Sequence, residues 1–414
     1  LHICGMGLDT HEVIGNLLVP VFINCGHLND AHQAFNRLGY GQECSWTSLI
    51  KGFIQKKEFQ HAFTLYERMQ DELVCPSKYT FIALLKACSS LKSLTKGREL
   101  HLLVAKQECE SDVHVGSSLV TMYAKCGLLV DACKVFEALP DRNVVSWTAL
   151  ISGYTDNGFG EEAILSFHRM ISEGIYPNEV TYFSTLKACA IIEDLFSGEE
   201  LHAEIAQEGL ENDCSVGSTL VDMYAKCGAL VEARGVFDEL IRKDVVTWTA
   251  LIAGYANHGR EEEALSCLKQ MQVEGVPPDA ITLLFILKAC GNIGDIDRGQ
   301  EIHAQVIKGG YERDPCLSNA LIDMYAKNGF LTDAQGIFNN LPQQDAVSWT
   351  VLLGGYTENG LNDEALECAE RMRVEGVPLD AVMFLYCLKA CGSLMDINKG
   401  WLIHEEIIRE GFEV

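Results

Sequence analysis

Trp46, Trp147, Trp248 and Trp349 stand 101 residues apart, and other residue types keep the same step. His101, His202, His303 and His404 repeat with it, as do Cys88, Cys189, Cys290 and Cys391, and Met69, Met170, Met271 and Met372. A single compact core places its large side chains wherever space allows, with no fixed interval. A chain of stacked, near-identical modules must repeat them, because each copy meets the same neighbours. The chain is therefore read as a repeat array, and its 414 residues exceed what one core usually organises.

The 101-residue block divides into three units, seen most clearly as 144–178, 179–213 and 214–244, of 35, 35 and 31 residues. Each reads as two short helices. In the first unit, "SWTALISGYTDNG" has apolar residues at helical spacing and stops at Gly158, and Glu161 and Glu162 suit the start of the next helix. That helix is expected to bury Ala163, Leu165, Phe167 and Met170 and to end at Gly174, with Pro177 beyond it. Glycine accepts the left-handed turn and proline cannot extend the helix. No alternating run competes, so the fold class is all-α. A helical hairpin of this length cannot hide its apolar face alone. Stacking with a small rotation per hairpin predicts a right-handed superhelical α-solenoid, its function on one concave face.

The formal charge of -26, from 58 acids against 32 bases, argues against nucleic-acid affinity built on bulk electrostatics. Any nucleic acid has to be held by local contacts, and a modest salt dependence is expected. The unit 179–213 holds nine acids and one base, which places the charge on second helices and loops. Apolar runs such as "ITLLFIL" at 281–287 fall far short of the ~18 residues of a membrane helix. The 17 cysteines include no C-x-x-C and read as small apolar fillers in a reducing compartment, not a disulfide framework. No metal site or cofactor is expected. The chain begins at Leu1 without Met and reads as a fragment, so the lack of a targeting segment says nothing about location.

The strings "VVSWTALISGY", "VGSTLVDMYAKCGALVEARGVFDEL" and "TLKACAIIEDLFSGEELHAEI" resemble the P, S and L motifs of plant PLS-class pentatricopeptide repeat (PPR) proteins. On that resemblance residues 1–414 form a single PPR solenoid, a fragment covering only the repeat array. It opens with a partial L unit at 1–11 and closes with an incomplete one at 381–414. S units fall at 12–42, 113–143, 214–244 and 315–345, P units at 43–77, 144–178, 245–279 and 346–380, and L units at 78–112, 179–213 and 280–314.

The resemblance implies sequence-specific binding of single-stranded RNA, one base per repeat, read by the fifth and last residues of a unit. Ser117 with Asn143 and Thr148 with Asn178 imply adenine. Ser218 with Asp244, Thr249 with Asp279 and Thr350 with Asp380 imply guanine, and Asn319 with Asp345 implies uracil. With unread L positions the implied tract is 5′-A-A-n-G-G-n-U-G-3′. Asn16 with Gln42 and Thr47 with Ser77 depart from the pattern, and no base is assigned to them. The second residue of a P unit packs against the base, which points to Val145, Val246 and Val347. Lys125, Lys226 and Lys327 occupy a position where the family meets phosphate.

Read as residues alone, several of these have plainer roles. The reading pairs are also ordinary helix-capping residue types. The lysines suit a helix C-terminus as well as a phosphate. The tryptophans read as core, not base-stacking platforms. The histidines lie in separate modules, so they read as inter-repeat hydrogen bonds and not as ligands of one metal.

Many PLS proteins resemble specificity factors for C-to-U editing in chloroplasts or mitochondria, whose deaminase-like part needs H-x-E and P-C-x-x-C. His202-Ala203-Glu204 and His404-Glu405-Glu406 match the first string inside L units, and no C-x-x-C exists, so the chain is not read as an enzyme. It is read as the specificity arm of an organellar editing or processing factor, with a deaminase or other effector supplied in trans. A protein-binding α-solenoid using the same face is the alternative.

Overall fold

The computed structural model of the chain describes residues 12–38, 41–211 and 213–411, and the partial unit expected at 1–11 lies outside them. Among the described residues there are twenty-four α-helices and no strand. From residue 43 on, leading helices begin at Glu43, Lys78, Val113, Val144, Glu179, Cys214, Val245, Ala280, Pro315, Ala346 and Ala381. A two- or three-residue link joins each to a trailing helix.

The starts are chemically marked. From Asp112 onward the residue before each leading helix is Asp or Asn, and its side chain accepts backbone N–H groups of the first turn. The reversals are marked too. Gly174 closes the hairpin of helices 144–156 and 160–172 at φ 77°. At the matching place one block earlier stands Leu73, 88% exposed and held at φ 57°. A side chain in the left-handed region costs about 1–2 kcal/mol, part of which glycine returns through unfolded-state entropy. Leu73→Gly should therefore stabilise the fold by about 0.5–1 kcal/mol. A urea midpoint that stays put or falls would contradict this.

The chain divides after Leu210 into two compact units. In the first, the leading helices Glu12–Asn24, Glu43–Gln55, Lys78–Leu91, Val113–Lys125, Val144–Asp156 and Glu179–Ile192 pack on one another in a row. In the second, Cys214–Lys226, Val245–Asn257, Ala280–Ile293, Pro315–Lys327, Ala346–Glu358 and Ala381–Leu394 do the same. Within each unit a trailing helix packs against its own leading helix and the next one, so it covers one side of the row and leaves the other side open.

The 101-residue ruler is the seam between hairpins. Trp46, Trp147, Trp248 and Trp349 are fully or almost fully buried, and each meets edge-on a phenylalanine from the preceding trailing helix. The partners are Phe35, Phe136, Phe237 and Phe338, with ring centroids 4.5–4.6 Å away. Met69, Met170, Met271 and Met372 fill the same core, and Ala163 and Phe167 join Met170 there. Leu165, expected with them, is 68% exposed, because two residues on from Ala163 the helix has turned to its opposite face. Two histidines of the series serve the next seam: His101 Nδ1 lies 2.8 Å from the Tyr123 hydroxyl, and His303 Nδ1 lies 2.9 Å from that of Tyr325. Gly97 and Gly299 allow the close approach there, since a Cβ on either would collide with the sulfur of Met122 or Met324.

Charge follows the layers. The leading helices carry seven acids and nine lysines, whereas the trailing helices carry 26 acids and 14 bases. The surplus acid that defines the whole chain therefore sits on trailing helices and loops, and the open row is close to neutral.

Candidate functional site

On the open face, helix Val144–Asp156 presents Val145, Thr148, Ala149, Ser152 and Asp156, a stripe at steps of three and four. With Thr121 and Lys125 of the preceding hairpin and Asn178 and Val180 at the start of the next, they line a cavity of about 370 Å³. Val145, Thr148, Asn178 and Lys125, four of the expected site residues, thus share one groove. Its volume lies in the range of small-ligand sites, ~300–1,000 Å³.

The second residues are exposed: Val145 by 44%, Val246 by 61% and Val347 by 57%. Each has an exposed aliphatic counterpart at the same place in the following unit, Val180, Ile281 and Val382. Sequence reading passed over these three, although the 35-residue step from each valine leads straight to them.

The P-unit reading residues are joined indirectly. The Thr148 hydroxyl contacts that of Thr181 at 2.7 Å, and Thr181 in turn donates to Asn178 Oδ1 at 2.9 Å. The same bridge links Thr249, Thr282 and Asp279 at 2.6 and 2.8 Å. Met383 stands at that place after the last P unit, and Thr350 and Asp380 are unbridged, with Thr350 donating to Ala346 O at 2.7 Å. In every pair the last residue is also the cap. Asn143, Asn178, Asp244, Asp279, Asp345 and Asp380 each use Oδ1 to accept an N–H of the next helix. Among the described residues, the outer oxygens of Asp279, Asp345 and Asp380 have no hydrogen-bond partner.

The S-unit pairs are less open. Ser117 is buried and donates to Val113 O at 2.6 Å, while Ser218 is half-buried and donates to Cys214 O at 2.7 Å. Asn319 is half-buried, and its Oδ1 is enclosed with no hydrogen-bond partner among the described residues. Asn16, given no base, is buried with Oδ1 accepting from Gln42 N at 2.9 Å and Ser45 Oγ at 2.7 Å.

Each candidate phosphate lysine has a carboxylate partner: Lys125 pairs with Asp156 at 2.6 Å, Lys226 with Asp222 at 2.7 Å and Lys327 with Asp323 at 2.8 Å. Burial works to raise the Asp156 carboxyl, but Lys125 and Lys187 outweigh it and hold the group below the usual carboxylate value. Phosphate would have to compete with these pairs. Lys86, Lys187, Lys288 and Lys389 form a further series at the 101-residue step, on the same row of leading helices. Lys86, Lys92 and Lys125 line a second cavity of about 580 Å³. A cavity of about 620 Å³ between the last two helices, lined by Leu388, Met395, Trp401 and His404 among others, contains none of the expected reading residues. Among the described residues no cluster of side chains suits a metal ion, and no helix is long and apolar enough to cross a membrane.

The PPR repeat family is matched at residues 42–90, 142–191 and 243–292, and the PPR repeat at 117–144, 218–245, 317–344 and 347–377. It is a repeat family and not an enzyme family. The Arabidopsis thaliana pentatricopeptide repeat-containing protein At4g18520, chloroplastic, is 39% identical over 92% of this chain and 63% of its own length. Protein At2g33680 of the same plant is 36% identical over 95% and 69%. Protein At3g09040, mitochondrial, is 35% identical over 95% and 38%. The chain thus spans between roughly two fifths and two thirds of these relatives. A crystal structure of the pentatricopeptide repeat protein PPR10 in complex with an 18-nt PSAJ RNA element aligns with a TM-score of 0.79 at 18% identity, covering 97% of this chain and 61% of that one. Repeat strings, stacked hairpins and relatives agree, and the chain belongs to the pentatricopeptide repeat family.

Proposed function

We propose that this chain binds single-stranded RNA along the open face of its leading helices, one base per hairpin, in the S–P–L order of a PLS-class protein. The observation that carries the reading is the groove in which Val145 and Val180 flank Thr148 and Asn178, with Lys125 beside them. Exposed aliphatic side chains on neighbouring helices lose free energy to water that a flat base between them would recover. The polar atoms between them suit a Watson–Crick edge. The outer oxygen of Asp279 can only accept, which matches the N–H donors of guanine, and the amide of Asn178 can donate to adenine N1. The outer oxygen of Asp345, which no hydrogen bond among the described residues uses, offers an acceptor for uracil N3–H. The PPR10 structure, solved with an RNA element, supports the same reading.

The tract proposed is 5′-A-A-n-G-G-n-U-G-3′. The relatives named chloroplastic and mitochondrial support work in one of those organelles. The role proposed there is the specificity arm of an RNA-editing or RNA-processing factor whose chemistry a deaminase or other effector supplies.

The test is a fluorescence-anisotropy titration of the labelled octamer against a scrambled one. The octamer should bind at least about tenfold tighter, since each good pair is worth about 1–3 kcal/mol of discrimination. Equal affinities would overturn the reading in favour of a protein-binding scaffold. The salt dependence should also be moderate. Three to seven lysines along the row give a log–log slope of about -2 to -5. A slope near -10 would mean that bulk charge holds the RNA.

A further inference from the structure

We propose that Thr181 and Thr282 are positioning residues for base discrimination, each joining the two reading side chains of a P unit into one hydrogen-bonded set. This inference rests on the RNA-binding reading above. Thr249 Oγ1 lies 2.7 Å from Val245 O and 2.6 Å from Thr282 Oγ1, and Thr282 Oγ1 lies 2.8 Å from Asp279 Oδ1. The preceding block repeats this with Thr148, Val144, Thr181 and Asn178, at 2.6, 2.7 and 2.9 Å.

Two hydroxyl protons serve three short oxygen–oxygen contacts, so one contact always lacks a hydrogen. At Asp279 the charged acceptor takes the Thr282 proton, because a charge-assisted bond is the strongest available. The Thr249 proton then chooses between the Val245 carbonyl, the Thr282 oxygen and an incoming acceptor on a base. Thr282 has two effects. It holds Asp279 Oδ1 on the protein side, which leaves only the outer oxygen for the base. It also ties the orientation of the Thr249 hydroxyl to the state of Asp279. Residues five and last of the unit therefore report on a base together. The last P unit is a natural contrast, because Met383 offers no hydroxyl between Thr350 and Asp380.

The experiment measures octamer affinities with G or A at the fifth base, read by Thr249 and Asp279, and at the eighth, read by Thr350 and Asp380. The wild-type chain should prefer G at both. Thr282→Val keeps side-chain size and the capping N–H but removes the hydroxyl, and should reduce the G-over-A ratio at the fifth base roughly three- to tenfold. Thr282→Ser should keep the ratio within about twofold, and Met383→Thr should raise it at the eighth base. In the wild type, the effects of Thr249→Val and Asp279→Asn on that ratio should be non-additive. With Thr282→Val in the background they should add. A purely structural role would not change that additivity.

A folded Thr282→Val chain with an unchanged ratio and unchanged non-additivity would overturn the bridge and leave the RNA reading standing. A wild-type chain with no preference at the fifth base would overturn both. Should Thr282→Val fail to fold, Met383→Thr decides alone, and an unchanged eighth-base ratio counts against the bridge.

Discussion

Replacing Trp248 with alanine is expected to lower the unfolding free energy of the second unit by about 3–5 kcal/mol. The indole is completely buried, and the ring of Phe237 meets it edge-on at 4.5 Å from the preceding trailing helix. Truncation removes the largest side chain at that seam and opens a cavity between two hairpins that cannot close without shifting both. Its Nε1 has no hydrogen-bond partner among the described residues, so the loss is one of packing and not of polar contacts. Folded domains hold only about 5–15 kcal/mol in reserve, which makes this a large share. Urea unfolding followed by far-UV circular dichroism measures it. A loss below about 1 kcal/mol would mean that the tryptophan ruler does not mark the core.

Asp279→Asn should move the preference at the fifth base of the tract from guanine to adenine, with a swing of about 1–3 kcal/mol. Oδ1 of Asp279 accepts the Thr282 N–H and hydroxyl, both at 2.8 Å, and an asparagine oxygen can accept both as well. The cap and the fold therefore survive, and only the outer atom changes. A carboxylate oxygen that could accept from guanine becomes an amide that donates to adenine. Asn178 shows that the chain already accommodates this arrangement, since its Oδ1 accepts the same two groups of Thr181, both at 2.9 Å. Competition binding with octamers differing only at the fifth base measures the effect. A ratio unchanged by the substitution would refute the assignment of that hairpin.

What repeats every 101 residues was legible in the sequence, because the same packing problem recurs at each seam. The all-α hairpins, the buried tryptophans and the His101–Tyr123 and His303–Tyr325 bonds all follow from it. The unequal charge of the two helix layers was legible too, since acids crowd the second half of each unit. What depends on one hairpin's particular neighbours was not. Lys125 looks like Lys226 and Lys327 in sequence, yet its partner Asp156 has Asn257 and Glu358 as counterparts. Ser117 and Ser218 read alike, and one is buried while the other is half-buried. The Thr181 and Thr282 bridges join side chains 33 residues apart, and a threonine three residues into a helix reads in sequence as nothing more than a cap partner.

The most direct test of one base per hairpin is a substitution panel on 5′-A-A-n-G-G-n-U-G-3′, with each position replaced in turn by the other three bases and the Kd measured at fixed salt. The six read positions should each bind tightest with the base written, losing about 1–3 kcal/mol for a mismatch, and the two n positions should be indifferent. A profile that is flat across all eight positions, or that follows base composition and not position, would contradict a chain that reads RNA hairpin by hairpin.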